Sequence, residues 1–68
     1  MDILKMDVRN NMMIVLAKIS SVYYVDEALL GSTPEEIILA KNATGRVYFH
    51  LEDALNDFKR RLEIKNNY

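Results

Sequence analysis

Apolar and polar positions change period along this chain, and the changes divide it into segments. Leu51, Leu55, Phe58 and Leu62 step by four, three and four, which places them on one stripe of a helix. Glu52, Asp53, Asn56, Asp57, Lys59, Arg60 and Arg61 fill the other positions, acids first and bases last, in the order that suits the helix dipole. The pattern predicts a helix over residues 51–64. A second helix is announced by Ser32-Thr33-Pro34-Glu35-Glu36, in which Thr33 caps the first turn, Pro34 takes the first helical position and Glu36 closes a capping box. Ile37, Ile38 and Ala40 form its buried side, and Gly45 offers a left-handed stop, giving a helix over about 34–43.

The remaining apolar segments read as strands. Arg46-Val47-Tyr48-Phe49-His50 is short and rich in β-branched and aromatic residues, as is Val22 to Val25. Residues 12 to 19 hold one polar member, Lys18, and read as a strand buried on both faces. Residues 3 to 8 alternate, with Leu4, Met6 and Val8 on one side and Lys5 and Asp7 on the other. Arg9-Asn10-Asn11 and Ser20-Ser21 are natural turns between them. The expected fold class is therefore α+β, a small N-terminal antiparallel β-meander followed by helix, short strand and amphipathic C-terminal helix. Both helices are expected on one sheet face. A rival pattern remains, since Leu4, Val8, Met12, Val15, Ile19 and Val22 also step by fours and threes. That reading makes residues 3 to 20 one helix and the fold mostly α.

Composition narrows the function classes. The chain has 68 residues, half of them apolar, with nine basic and ten acidic side chains and a formal charge of −1, so one domain spans residues 1–68. Without cysteine and with a single histidine, neither disulfides nor a Cys/His zinc site can compensate for a small core. Packing or self-association must do so. The longest apolar run, Met12 to Ala17, is too short for a membrane span of about 20 residues or a leader core. A cytoplasmic location, with no membrane partner, is the expectation.

Candidate chemistry is sparse. The carboxylate pairs Asp26-Glu27, Glu35-Glu36 and Glu52-Asp53 would need a shared, partly desolvated cleft to act as acid and base. Two of them fall at predicted helix starts, where acids complement the dipole. His50 has no nucleophile elbow beside it and suits a strand-to-helix junction. Gly31 and Gly45, the only glycines, cannot build a phosphate-cradling loop. The chain reads as non-enzymatic, with no catalytic residue, cofactor, metal or small-molecule ligand implied. Met1, Met6, Met12 and Met13 read chiefly as core filler.

The aromatic residues carry the functional expectation. Neighbours on a strand point to opposite faces, so Tyr23-Tyr24 and Tyr48-Phe49 each send one ring outward. Tyr23, Tyr24, Tyr48 and Val25 are accordingly expected to form a protein interface on an uncovered sheet face. The chain then reads as a self-associating interaction module, a homodimer or the partner of another protein, of a size that suits a bacterial or phage accessory protein.

The run Val25-Asp26-Glu27-Ala28-Leu29-Leu30-Gly31-Ser32-Thr33-Pro34-Glu35-Glu36-Ile37, with Gly45-Arg46-Val47-Tyr48-Phe49 and Leu51-Glu52-Asp53, resembles the small winged-helix DNA-binding domains of the excisionase type. The resemblance implies a helix ending in Leu29-Leu30-Gly31, a recognition helix after Pro34 and a wing strand at Arg46. The first helix is about two residues shorter than that pattern, and the recognition helix would present Glu35 and Glu36 to phosphates. As the alternative function, DNA binding would use Arg46, Lys59, Arg60, Arg61 and Lys65, the charges most able to meet phosphates.

Overall fold

In the computed structural model, which describes residues 1–66, four antiparallel strands form one sheet in the order β1-β2-β3-β4. The strands are β1 (Asp2–Arg9), β2 (Met12–Ile19), β3 (Val22–Leu29) and β4 (Arg46–Tyr48); α1 (Pro34–Ala40) precedes β4 and α2 (Leu51–Asn66) follows it. The α+β meander is thus the fold. The single helix over 3 to 20 and the mostly α winged-helix arrangement are both overturned, because residues 2–9 and 12–19 pair as strands and Glu27-Ala28-Leu29 closes β3. Among the described residues no helix is long and apolar enough to cross a membrane.

Two-residue turns set the register of the meander. Asn10 and Asn11 both have positive φ (50° and 63°), the combination that joins strands with the right twist, and Arg9 faces Met12 across the turn. Ser20, at φ 54°, leads the second turn, with Ile19 facing Val22. The pairing of β1 with β2 slips between Ile3 and Lys5, so Leu4 occupies a bulge and leaves the alternation expected of it. Such an irregularity also blunts β1 as an edge strand.

Packing follows from β2. Met13, Val15 and Ala17 point to one face and join Ile37 and Ile38 of α1, whereas Ile14 and Leu16 point to the other and join Ala54 and Phe58 of α2. The helices therefore lie on opposite faces of the sheet, not on one. A six-residue apolar run in an extended strand has two dry faces, and each requires its own cover. The stripe of α2 is rotated from the expected one: Ala54, Asp57, Phe58 and Arg61 are buried, Leu55 and Leu62 pack at the margin, and Leu51 is largely exposed.

Helix α1 begins as read, with the reciprocal Thr33–Glu36 capping box. It ends earlier than residue 43, because Lys41 itself adopts the left-handed conformation (φ 52°). Gly45 has a different duty from the expected stop. A Cβ placed there would collide with the Tyr24 hydroxyl oxygen, so glycine is what lets the Tyr24 ring reach the loop before β4.

Two stability changes follow. Gly45→Ala should lower the urea midpoint by the equivalent of roughly 1–3 kcal/mol, the usual range for overpacking, with part of the loss recovered by Tyr24→Phe. Lys41→Gly should raise it by about 0.5–1 kcal/mol, because glycine accepts the left-handed cap without a Cβ penalty. Thermal or urea unfolding of the variants measures both.

Candidate functional site

The neighbouring acids Asp26 and Glu27 mark the two places where the helices are tied to the sheet. Side chains alternate along β3, so Asp26 faces α1 and Glu27 faces α2, and they share no cleft. Asp26 is completely buried and accepts from the Glu27 and Asn42 backbone amides, the Asn42 side-chain amide and the Thr44 hydroxyl, at 2.7 to 3.2 Å. These bonds fold residues 42–44 over the sheet edge. Glu36 serves the α1 capping box, with the Thr33 backbone amide holding its carboxyl below the usual range. Glu35 joins Glu36 in that first turn, and Glu52 and Asp53 occupy the first turn of α2. The His50 backbone carbonyl accepts from the Ala54 amide at the start of α2, the junction position expected of the residue.

On the α2 face the buried polar cluster is denser. The Arg61 guanidinium donates to both carboxylate oxygens of Asp57 (3.0 and 3.2 Å), to Glu27 Oε1 (3.0 Å) and to the Thr44 carbonyl (2.7 Å). The Asp57 carboxylate also receives the Tyr48 hydroxyl (2.7 Å) and Arg60 Nη2 (2.8 Å). Lys65 pairs with the second oxygen of Glu27. Among the described residues no buried side-chain polar atom lacks a partner. Burial alone would raise the Asp57 pKa, but hydrogen bonds from Arg61, Tyr48 and Arg60 outweigh it and hold the carboxyl at about 2. Burial first, and then the bond to Asp57, push the Tyr48 hydroxyl above its ordinary value.

These constraints redistribute the interface residues expected from sequence. Val25 is fully buried between β2 and α2 and offers nothing to a partner, because the face on which it lies is covered. Tyr48 is half-buried and spends its hydroxyl on Asp57. Tyr23 is half-buried on the α2 side with Lys18 over its ring, and Tyr24 is half-buried on the α1 side against Gly45. Of the basic residues, Lys59 is exposed, but Arg61 is buried and Lys65 is paired, so neither is free to meet a nucleic acid backbone. Arg46, Arg60 and Arg61 do come together, lining one side cleft. Phe58 and Met13 are core, Met12 is half-buried, and Met1 and Met6 are half exposed.

An apolar surface lies beyond the reach of the shorter helix. Helix α1 has seven residues and α2 sixteen, roughly 10 and 24 Å of helix laid on strands about 27 Å long. The α1 face is consequently not covered by helix toward the Ser20-Ser21 end, although Ala17 there is fully buried by its neighbours. There the register aligns Ile3, Ala17, Tyr24 and Val47 in one row across all four strands, with Ile19 and Val22 in the next row. Val47 is 52% and the adjoining Phe49 76% exposed, while Ile3, Ile19, Val22 and Tyr24 are half-buried. None of these side chains is charged. Comparison with family models, curated proteins and solved structures returned no match.

The buried cluster makes acid stability a direct readout. An aspartate held at about 2, against an ordinary 3.8, contributes stability that is fully present above pH ~4 and is lost as pH falls toward 2. The contribution is about 2 kcal/mol at neutral pH. Urea unfolding between pH 2 and 5 should show this slope, and Asp57→Asn should flatten it while lowering stability at neutral pH. Arg61→Ala, which takes one partner from Asp57 and one from Glu27 but leaves Tyr48, Arg60 and Lys65 in place, should cost about 1.5–3 kcal/mol.

Proposed function

We propose that this chain is a non-enzymatic interaction module that pairs with a second copy of itself through the bare end of its α1 face. The observation that carries the reading is the uncharged patch of Ile3, Ile19, Val22, Tyr24 and Val47 beyond the seven-residue helix, with the 76% exposed Phe49 next along the chain from β4. Uncovered apolar surface of this kind is costly in water, and a few hundred Å² of it on one face is typical of an interaction site. A second copy fits because the patch holds no charge that calls for an opposite one. Two copies related by a two-fold axis, the commonest arrangement in homo-oligomers, would bring this patch against itself. The adjacent β4 leaves its outer edge unpaired, with Arg46 and Val47 exposed, and so adds backbone groups to the same contact.

Such a patch supplies less than the roughly 800 Å² per partner of a standard interface, so the association is expected in the micromolar range or weaker. Light scattering or sedimentation over rising concentration should show the mean mass climbing from 7.9 kDa toward twice that value. Val47→Asp and Phe49→Asp, at exposed positions, should each hold the protein monomeric with an unchanged unfolding midpoint. A mass that stays at the monomer value throughout would overturn the proposal.

A further inference from the structure

A second surface, on the opposite face, has the character of an anion site. Glu27, Thr44, Arg46, Arg60, Arg61 and Ile64 line a side cleft of about 290 Å³ between α2 and the loop preceding β4. Three guanidiniums thus meet in a protein whose formal charge is −1. The one carboxylate in the lining, Glu27, is already engaged by Arg61 and Lys65.

The two outer arginines are held in place without being used up. Arg46 donates through Nη1 to the Ala43 and Gly45 carbonyls (3.1 and 2.8 Å), which leaves its Nε and Nη2 donors. Arg60 donates through Nη2 to Asp57, which leaves Nε and Nη1. At the floor Arg61, itself more than nine-tenths buried, keeps one Nη1 hydrogen beyond its four bonds. Tethered guanidiniums with spare donors form the fork geometry that matches tetrahedral oxyanions. The half-exposed Ile64 side chain gives the cleft an apolar wall.

We propose that this cleft binds a phosphate monoester, its phosphoryl oxygens held between Arg46 and Arg60 and its organic part resting on Ile64. A nucleic acid track is disfavoured by the surroundings. The exposed side of α2 also carries Glu52, Asp53 and Glu63, which would repel successive phosphates. The cleft lies on the α2 side of the sheet and the apolar patch on the α1 side, and the two adjoin only at β4, where the Arg46 side chain faces the cleft.

The test is a titration of the ¹⁵N-labelled full chain with phenyl phosphate at physiological salt, following the arginine Nε–H signals by NMR. Saturable movement of the Arg46 and Arg60 signals is expected. Arg46→Gln should weaken binding by roughly tenfold, the effect of losing one charge-assisted donor pair. Lys59→Gln, on the same helix but outside the cleft, should leave it unchanged. Arg60→Gln also loosens Asp57, so Arg46→Gln is the deciding variant. Shifts that never saturate, an equal loss in Lys59→Gln, or tighter binding of duplex DNA with a steep salt dependence would each overturn the proposal.

Discussion

Strand β2 is dry on both faces, and the rest of the architecture follows from that constraint. A strand carrying Met13, Val15 and Ala17 on one side and Ile14 and Leu16 on the other cannot belong to a sheet with a single helical layer. One helix must go to each face, and the chain must pass from one side to the other after α1. It does so at the sheet edge, where β4 is added beside β3 in a three-residue strand. The crossing explains why consecutive residues of β3 carry opposite duties. Asp26 secures the crossing loop on the α1 side, and Glu27 secures α2 through Arg61 and Lys65 on the other.

Thr44 joins these two anchors, because its hydroxyl donates to Asp26 while its carbonyl accepts from Arg61. A single loop residue is thereby bonded to groups on both faces of the sheet. Burying Asp57, Arg61 and Asp26 costs solvation free energy that an apolar core would not, and it is tolerated because every buried side-chain nitrogen and oxygen among the described residues has a partner. What the arrangement gains is geometric definition. Four apolar contacts on a helix allow it to slide or roll, whereas the Arg61 fork on Asp57, Glu27 and the Thr44 carbonyl admits one position of α2.

The strands were legible where local chemistry alone sets them. Asn10-Asn11 dictates a tight turn, and the unbroken Met12–Ala17 run excludes a helix with one wet face. The capping box at Thr33 located the start of α1 for the same reason. Harder to read were features that depend on partners distant in sequence. Asp57 and Arg61 look like solvated helix positions until Tyr48, Glu27 and Thr44 are brought beside them. Their i, i+4 spacing was the available signal, though it is equally common on exposed helices. Placing both helices on one face was inconsistent with a doubly buried β2, and following that strand's own pattern would have separated them. Val25 lies on that same closed side, where an interface has no open surface to use. The convergence of Arg46 with Arg60 and Arg61 was legible only as a list of bases, because it needs the crossing loop to fold back over β3.

The difference in helix length gives the two faces different characters. Sixteen residues suffice to span the sheet, so the α2 face is closed and its remaining relief is polar, a cleft between charged side chains that are already oriented. Seven residues do not span it, so the α1 face ends in aliphatic and aromatic rows that no helix covers. Extending α1 by two turns would cover those rows, and the left-handed Lys41 prevents it by turning the chain toward Asp26. The bare surface is therefore a consequence of the crossing itself. A chain that must leave the α1 face early enough to reach the edge of β3 cannot also cover that face. Its apolar surplus is left facing water, and that exposed surplus is the physical basis of the proposed self-association.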